Sequence, residues 1–117
     1  MKAVLLVALG GALGAVARYG VSVGFARRLG TSWPWGTLFI NVSGCFLISV
    51  LAARLSSDSL RYLLPVGFVG AYTTFSTYEY ETLRLFQQGQ LGFALAYLLA
   101  SNAVGFAAVL LGDWVSR

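Results

Sequence analysis

Gly67-Phe68-Val69-Gly70-Ala71-Tyr72-Thr73-Thr74-Phe75-Ser76-Thr77-Tyr78-Glu79-Tyr80-Glu81 is the stretch whose reading decides the fold. It lies behind Pro65 in an apolar run from Tyr62 to about Phe86, and mixes glycines, hydroxyls, aromatics and two carboxylates. A helix facing lipid along its whole length is not written this way. Membranes tolerate irregular backbone only where protein or a water-filled cavity receives its polar groups. Broken membrane helices use such interruptions to present carbonyls and helix ends to ions. The stretch therefore reads as a broken membrane-spanning helix and as the candidate site. A kinked packing helix whose hydroxyls bond to their own i−4 carbonyls fits the same residues.

The surrounding composition supports a membrane setting. Of 117 residues, 58% are hydrophobic and 10% charged, with a mean hydropathy of +0.78, whereas soluble proteins carry roughly 25% charged residues. A bilayer-crossing helix takes about 20 apolar residues, so this length holds at most about five spans and little else. The reading is an all-α membrane protein, a single domain over 1–117 with four transmembrane helices at about 3–26, 35–55, 62–86 and 91–111. The third is broken.

The first span carries small residues at close-contact spacing, with Gly10 and Gly14, Gly11 and Ala15, and Gly20 and Gly24 as pairs. Its opening also fits a secretory signal peptide with a cleavage site near Ala15-Val16-Ala17, but the apolar run continues past Arg18 to Phe25. Arg27-Arg28-Leu29-Gly30-Thr31-Ser32-Trp33-Pro34 ends it, with Trp33 and Trp35 as interface anchors. Asn41 lies mid-way along the second span, and an amide facing lipid has no partners. It is expected to face protein or water. Gln87-Gln88-Gly89-Gln90 separates the third span from the fourth, where Tyr97 and Ser101 share a helical face.

With no His and a lone Cys45, the chain offers no imidazole or thiolate metal cluster, no Cys-His pair and no intrachain disulfide. An enzyme is not expected. The net charge of +4 comes from scattered Lys2, Arg18, Arg27, Arg28, Arg54, Arg61, Arg84 and Arg117, which form no nucleic-acid patch. Four spans assign Lys2, Arg54, Arg61 and Arg117 to one side. The other receives Arg27, Arg28, Arg84 and Arg18, if Arg18 snorkels outward. Lysine and arginine asymmetry sets orientation, so this balance predicts insertion both ways and a dual-topology antiparallel homodimer.

At Gly10-Gly11-Ala12-Leu13-Gly14-Ala15-Val16-Ala17-Arg18-Tyr19, at Gly36-Thr37-Leu38-Phe39-Ile40-Asn41-Val42-Ser43-Gly44 and at Gly67 to Tyr78, the chain resembles the bacterial fluoride channels, the Fluc or CrcB family. The resemblance implies an antiparallel homodimer in the bacterial inner membrane, with two fluoride pathways, passive fluoride export and a structural sodium ion (Na+) at its centre. It puts the sodium ligands on the backbone carbonyls of Gly70 and Thr73. It puts the pore aromatics on Phe75 and Tyr78, and further pathway positions on Asn41, Ser76, Thr77, Tyr97 and Ser101. Glu81 matches an acidic position beyond the aromatic pair, and Arg18 an arginine acting structurally or by attraction at the entrance. Aromatic ring edges carry partial positive charge and hold an anion weakly enough to release it. Two departures stand out: Tyr78 replaces a usual phenylalanine, and Ala71 a usual glycine, where a positive φ would strain alanine. A small multidrug-type, proton-coupled cation transporter is the alternative four-span antiparallel dimer. Such proteins use a glutamate in the first span, and this chain has none there.

Overall fold

Long apolar stretches with few helix breakers wind into three helices that are long and apolar enough to cross a membrane. The computed structural model describes residues 1–117, and helices are its only regular elements. Helix α1 is Lys2–Leu29, α2 is Trp35–Arg54, and the last helix, α5, is Leu91–Ser116. At 1.5 Å per residue these are roughly 42, 30 and 39 Å long. Gly30 (φ 74°) ends α1 and Gly89 (φ 74°) turns the chain into α5. Both positions need the left-handed backbone that glycine adopts without strain.

The intervening segment is built differently. Helix α3 is a continuous run over 58–72 made of an α-turn (Asp58–Arg61), a π-wound stretch (Tyr62–Val69) and a closing α-turn (Gly70–Tyr72). Pro65 lies within the π stretch and has no N–H to donate, and the wider winding accommodates that missing bond. Thr73 and Thr74 then turn extended (ψ 155° and 114°), and α4 runs from Phe75 to Gln87. The interruption is thus one two-residue break. Gly70 is right-handed helical and no non-glycine residue has positive φ, so Ala71 is unstrained.

Two side-by-side contacts fix the arrangement. Arg54 at the end of α2 donates to the carbonyls of Ser116 (3.1 Å) and Val115 (3.1 Å) at the end of α5. At the other end Trp33, just before α2, meets Phe93 and Tyr97 edge-on at centroid distances of 5.8 and 5.6 Å. Helices α2 and α5 therefore run parallel, and α3 with α4 carries the chain back between them. Helix α1 lies against α3. A Cβ on Gly10 would strike the Leu63 carbonyl and one on Gly14 the Phe68 carbonyl, so both glycines admit the π-wound backbone. Gly112 does the same for α5 against Phe46 of α2. Gly20 and Gly24 meet nothing within 4 Å, so that pair does not pack two helices of one chain.

Burial is sparse. Only 17 of 117 residues are buried, and the outside is dressed with Leu, Val and Phe, as a surface solvated by lipid requires. The apolar core is a small cluster of Tyr78, Leu85, Ala94 and Tyr97, with Trp33, Leu38 and Leu98 against it. The basic residues divide as Lys2, Arg54, Arg61 and Arg117 near one end and Arg27, Arg28 and Arg84 near the other. Arg18 sits 11 residues before the end of α1, half-buried, its Nε without a partner, so it belongs to neither end.

Overpacking a close contact costs about 1–3 kcal/mol, and Gly14→Ala is expected to destabilise the folded protein by at least that much in detergent unfolding. Gly20→Ala, with open space around it, is expected to be neutral or to stabilise by up to about 1 kcal/mol through helix propensity.

Candidate functional site

Breaking a helix inside an apolar medium frees backbone groups that must find partners. At this break one side chain of α2 serves two of them. Asn41 Oδ1 accepts from the Thr74 N–H at 2.8 Å, and Asn41 Nδ2 donates to the Thr74 carbonyl at 3.0 Å. The amide thus pairs with one residue's backbone as a neighbouring strand would. The Thr74 side chain starts α4: its Oγ1 accepts from the Thr77 N–H (3.3 Å) and donates to Thr77 Oγ1 (3.0 Å). A threonine N-cap of this kind is worth about 1 kcal/mol. Thr73 Oγ1 bonds back to the Val69 carbonyl at 3.1 Å, as does Thr82 to that of Tyr78 at 2.8 Å. The hydroxyls thus divide between capping the break and bonding back along their own helices. Below it, Ser43 Oγ and the Tyr72 hydroxyl share a 2.9 Å hydrogen bond.

Because the Thr74 N–H goes to Asn41, the Gly70 carbonyl loses its helical donor. The Thr77 N–H likewise goes to the Thr74 hydroxyl, leaving the Thr73 carbonyl free. Neither oxygen receives a hydrogen bond. Gly70 is exposed and Thr73 half-exposed. No cluster of three His, Cys, Asp or Glu side chains competes as a metal site.

Helix α4 divides two cavities. One, of about 550 Å³, opens between the end of α1, the 30–34 loop and α4, and is lined by Thr37, Thr77, Glu81 and Arg84 among others. Within its wall Thr37 Oγ1 donates to Glu81 Oε1. The second, of about 370 Å³, lies at the break and is lined by Asn41, Gly70, Thr73, Phe75, Tyr78 and Ser101 among others. Between the cavities stand Tyr78 and Tyr97, edge to face at 5.2 Å, with Phe75 tilted against Tyr78 at 5.8 Å. Tyr97 is wholly buried, yet its hydroxyl has no partner, and neither has the buried Ser101 hydroxyl one turn on. An unpaired buried hydroxyl costs about 1–3 kcal/mol unless something else binds it. Two of them on one face, beside an aromatic pair, make a track for a guest that accepts hydrogen bonds.

The structure gathers Asn41, Gly70, Thr73, Phe75, Tyr78 and Ser101 at one cavity and Thr77 and Glu81 at the other, with Tyr97 between. Ser76 is exposed and lines neither cavity, because it lies on the outer side of α4. Arg18 also lines neither. Sequence reading missed Thr37 and Asn102, which donates to the Tyr78 hydroxyl at 3.1 Å, and did not single out Thr74 within the stretch it named as the site. Thr37 was recoverable from its place four residues before Asn41, on the same helical face.

The chain also matches known proteins over most of its length. Residues 5–113 match the family described as CrcB-like protein, Camphor Resistance (CrcB). A protein named fluoride-specific ion channel FluC from Acidobacterium capsulatum is 58% identical, over 92% of this chain and 90% of that one. Proteins of the same name from Nitrobacter winogradskyi (43%, over 97% and 94%) and Anaeromyxobacter dehalogenans (46%, over 99% and 99%) are similar along their whole lengths.

Losing the Asn41 amide leaves the buried Thr74 N–H and carbonyl unpaired, at about 1–3 kcal/mol for each group. Asn41→Leu is therefore expected to speed hydrogen exchange at the Thr74 amide by tenfold or more, on the order of 1.4 kcal/mol of lost protection. Amides in the middle of α1 serve as the unchanged reference.

Proposed function

The chain belongs to the CrcB-like family, and on that premise we propose that it is a fluoride-specific ion channel through which fluoride leaves the cell passively. The observation that carries the pathway is the pair of buried, unpartnered hydroxyls of Tyr97 and Ser101 beside the Phe75 and Tyr78 rings. Fluoride is small and strongly hydrated, so it moves through protein only where donors replace its water. In this reading it enters the larger cavity and passes Thr77 and the Thr37–Glu81 pair. It then meets the Tyr97 and Ser101 hydroxyls and reaches the cavity at the break along the ring edges of Phe75 and Tyr78. No lysine or arginine side chain lines the inner cavity, so nothing there holds the anion too tightly to release.

We read the chain as a multi-pass inner-membrane protein with four crossings. The parallel course of α2 and α5 supports this, because α3 and α4 together must return the chain across the thickness that α2 spans. The second copy of our reading is an antiparallel partner. Phe75 is 73% exposed on the single chain, and the break is open on the side where a pathway needs another wall. The basic residues, four near one end and three near the other, favour neither orientation strongly.

The free carbonyls of Gly70 and Thr73 fit a structural sodium ion. They are uncharged oxygens on unwound backbone, the donors a hard cation takes. Two from one chain are too few for such an ion, and the same two from an antiparallel copy would double the set. Bound there, sodium supplies a fixed positive charge at the break. Asn41 keeps the Gly70 carbonyl available, since it occupies the Thr74 N–H that would otherwise close on it, and the Thr74 hydroxyl does the same for Thr73 by occupying the Thr77 N–H.

Fluoride efflux from liposomes loaded with potassium fluoride tests the function directly. Folded protein is expected to pass fluoride and not chloride, and absent fluoride flux or equal chloride flux would overturn the reading. Orientation has its own test. With Ser116→Cys in a Cys45→Ser background, an impermeant thiol reagent added outside intact cells is expected to label about half the chains, because near-equal basic ends insert both ways. Complete labelling or none would mean one fixed orientation.

A further inference from the structure

Asn102 belongs to none of the motifs that mark the pathway, yet its side chain touches the aromatic pair. Its Nδ2 makes two hydrogen bonds, to the Leu98 carbonyl one turn back (2.8 Å) and to the Tyr78 hydroxyl (3.1 Å). The first settles the direction of the second. A carbonyl oxygen only accepts, so the atom facing Leu98 is the NH₂, and the same NH₂ meets Tyr78. Both of its hydrogens are thereby committed. The Tyr78 oxygen must accept from Asn102.

A phenol has one proton to give as well as lone pairs to receive. With a lone pair of Tyr78 taken by Asn102, the proton cannot point along that bond, and no acceptor in the chain receives it. The ring itself is buried and held edge-on by Tyr97. The Tyr78 side chain, Asn102, Asn41, Phe75 and Ser101 wall the same inner cavity of about 370 Å³. We infer that Asn102 is a positioning residue that directs the Tyr78 O–H proton into this cavity, giving a passing fluoride ion a hydroxyl donor in addition to a ring edge. This rests on the cavity being part of the fluoride pathway.

The chemistry favours such a donor. Hydrogen bonds to an ionised acceptor are roughly twice as strong as neutral ones, and a ring edge offers only weakly polarised C–H groups. The hydroxyl therefore deepens a site the rings alone leave shallow. Its oxygen is held by a neutral amide, so the donor brings no net charge that would trap the ion. The arrangement also explains how Tyr78 stands in an aromatic pair without leaving an unpaired hydroxyl oxygen against apolar helix.

A mutant cycle with a spectroscopic readout tests the inference. Asn102→Leu keeps the side-chain size and is expected to lower fluoride flux by about five- to tenfold, the factor of one hydrogen bond. Tyr78→Phe should lower it by a similar factor, and Asn102→Leu should have no further effect in that background. Independently of flux, potassium fluoride should shift the ¹³Cζ resonance of Tyr78 in the wild-type chain, with potassium chloride as control, and should not shift it in Asn102→Leu. An unmoved wild-type resonance, an equal shift in Asn102→Leu, or additive losses in the double variant would overturn the inference. If the wild-type chain passes no fluoride at all, the pathway reading fails; if it conducts and the variants match it, only the part given to Asn102 does.

Discussion

Everything near the site depends on keeping unpaired backbone out of contact with lipid. Two residues, Thr73 and Thr74, leave the helix, and within a bilayer each freed N–H and carbonyl costs several kcal/mol unless something meets it. The Asn41 amide meets both groups of Thr74, and the Thr74 hydroxyl meets the next N–H along. What remains free is a selected remainder, the carbonyls of Gly70 and Thr73. Two donors of the break, the N–H groups of Thr74 and Thr77, are thus met inside the protein, while these two acceptors stay free.

Placing that break requires the helix before it to be supported. The π-wound stretch over Tyr62–Val69 has its carbonyls splayed and one donor missing at Pro65, so it resists bending only if packed. Helix α1 supplies the packing by removing its own side chains at Gly10 and Gly14. Gly44 serves the second contact, since a Cβ there would strike the Thr73 methyl group. Small residues thus appear where two backbones, or a backbone and the break, must come close. In lipid, where apolar burial drives little helix association, such close contact is a main source of stability.

Much of this was legible because membrane chains are strongly patterned. Helix identity followed from apolar run length, and the break from the glycine and hydroxyl cluster of residues 67–78. The packing role of Gly10 and Gly14 was readable as spacing, whereas Gly20 and Gly24, at the same spacing, meet no helix of their own chain, because spacing does not say what lies opposite. The π winding was invisible: Pro65 predicts a disturbance, while the choice between kink and wide turn is made by the helix packed against it. Asn41 was recognised as a polar group needing partners, yet its pairing with Thr74 is a long-range contact that sequence does not encode locally. Ser76 shows the converse. It shares the polar run with Thr77, but one residue is about 100° around a helix, and that rotation puts it outside both cavities.

In the proposed pathway the aromatic pair and the hydroxyls around it would divide the work of binding and release. A conducting site has to compensate fluoride for lost water and still let it go. Ring edges alone compensate little, and a charged side chain would compensate too much. Here the donors are neutral and come from separate helices: Tyr78 on α4, and Tyr97 and Ser101 on α5. None of the three hydroxyls gives its proton to another protein group. Each is left available along the proposed track, so an ion leaving one donor would gain the next. Helices α4 and α5 can hold such a ladder only if α5 is fixed in place. That is the structural use of the Trp33 contacts and the Arg54 clamp, which pin α2 and α5 together at both ends, so that the aromatic face of α4 packs against a fixed α5.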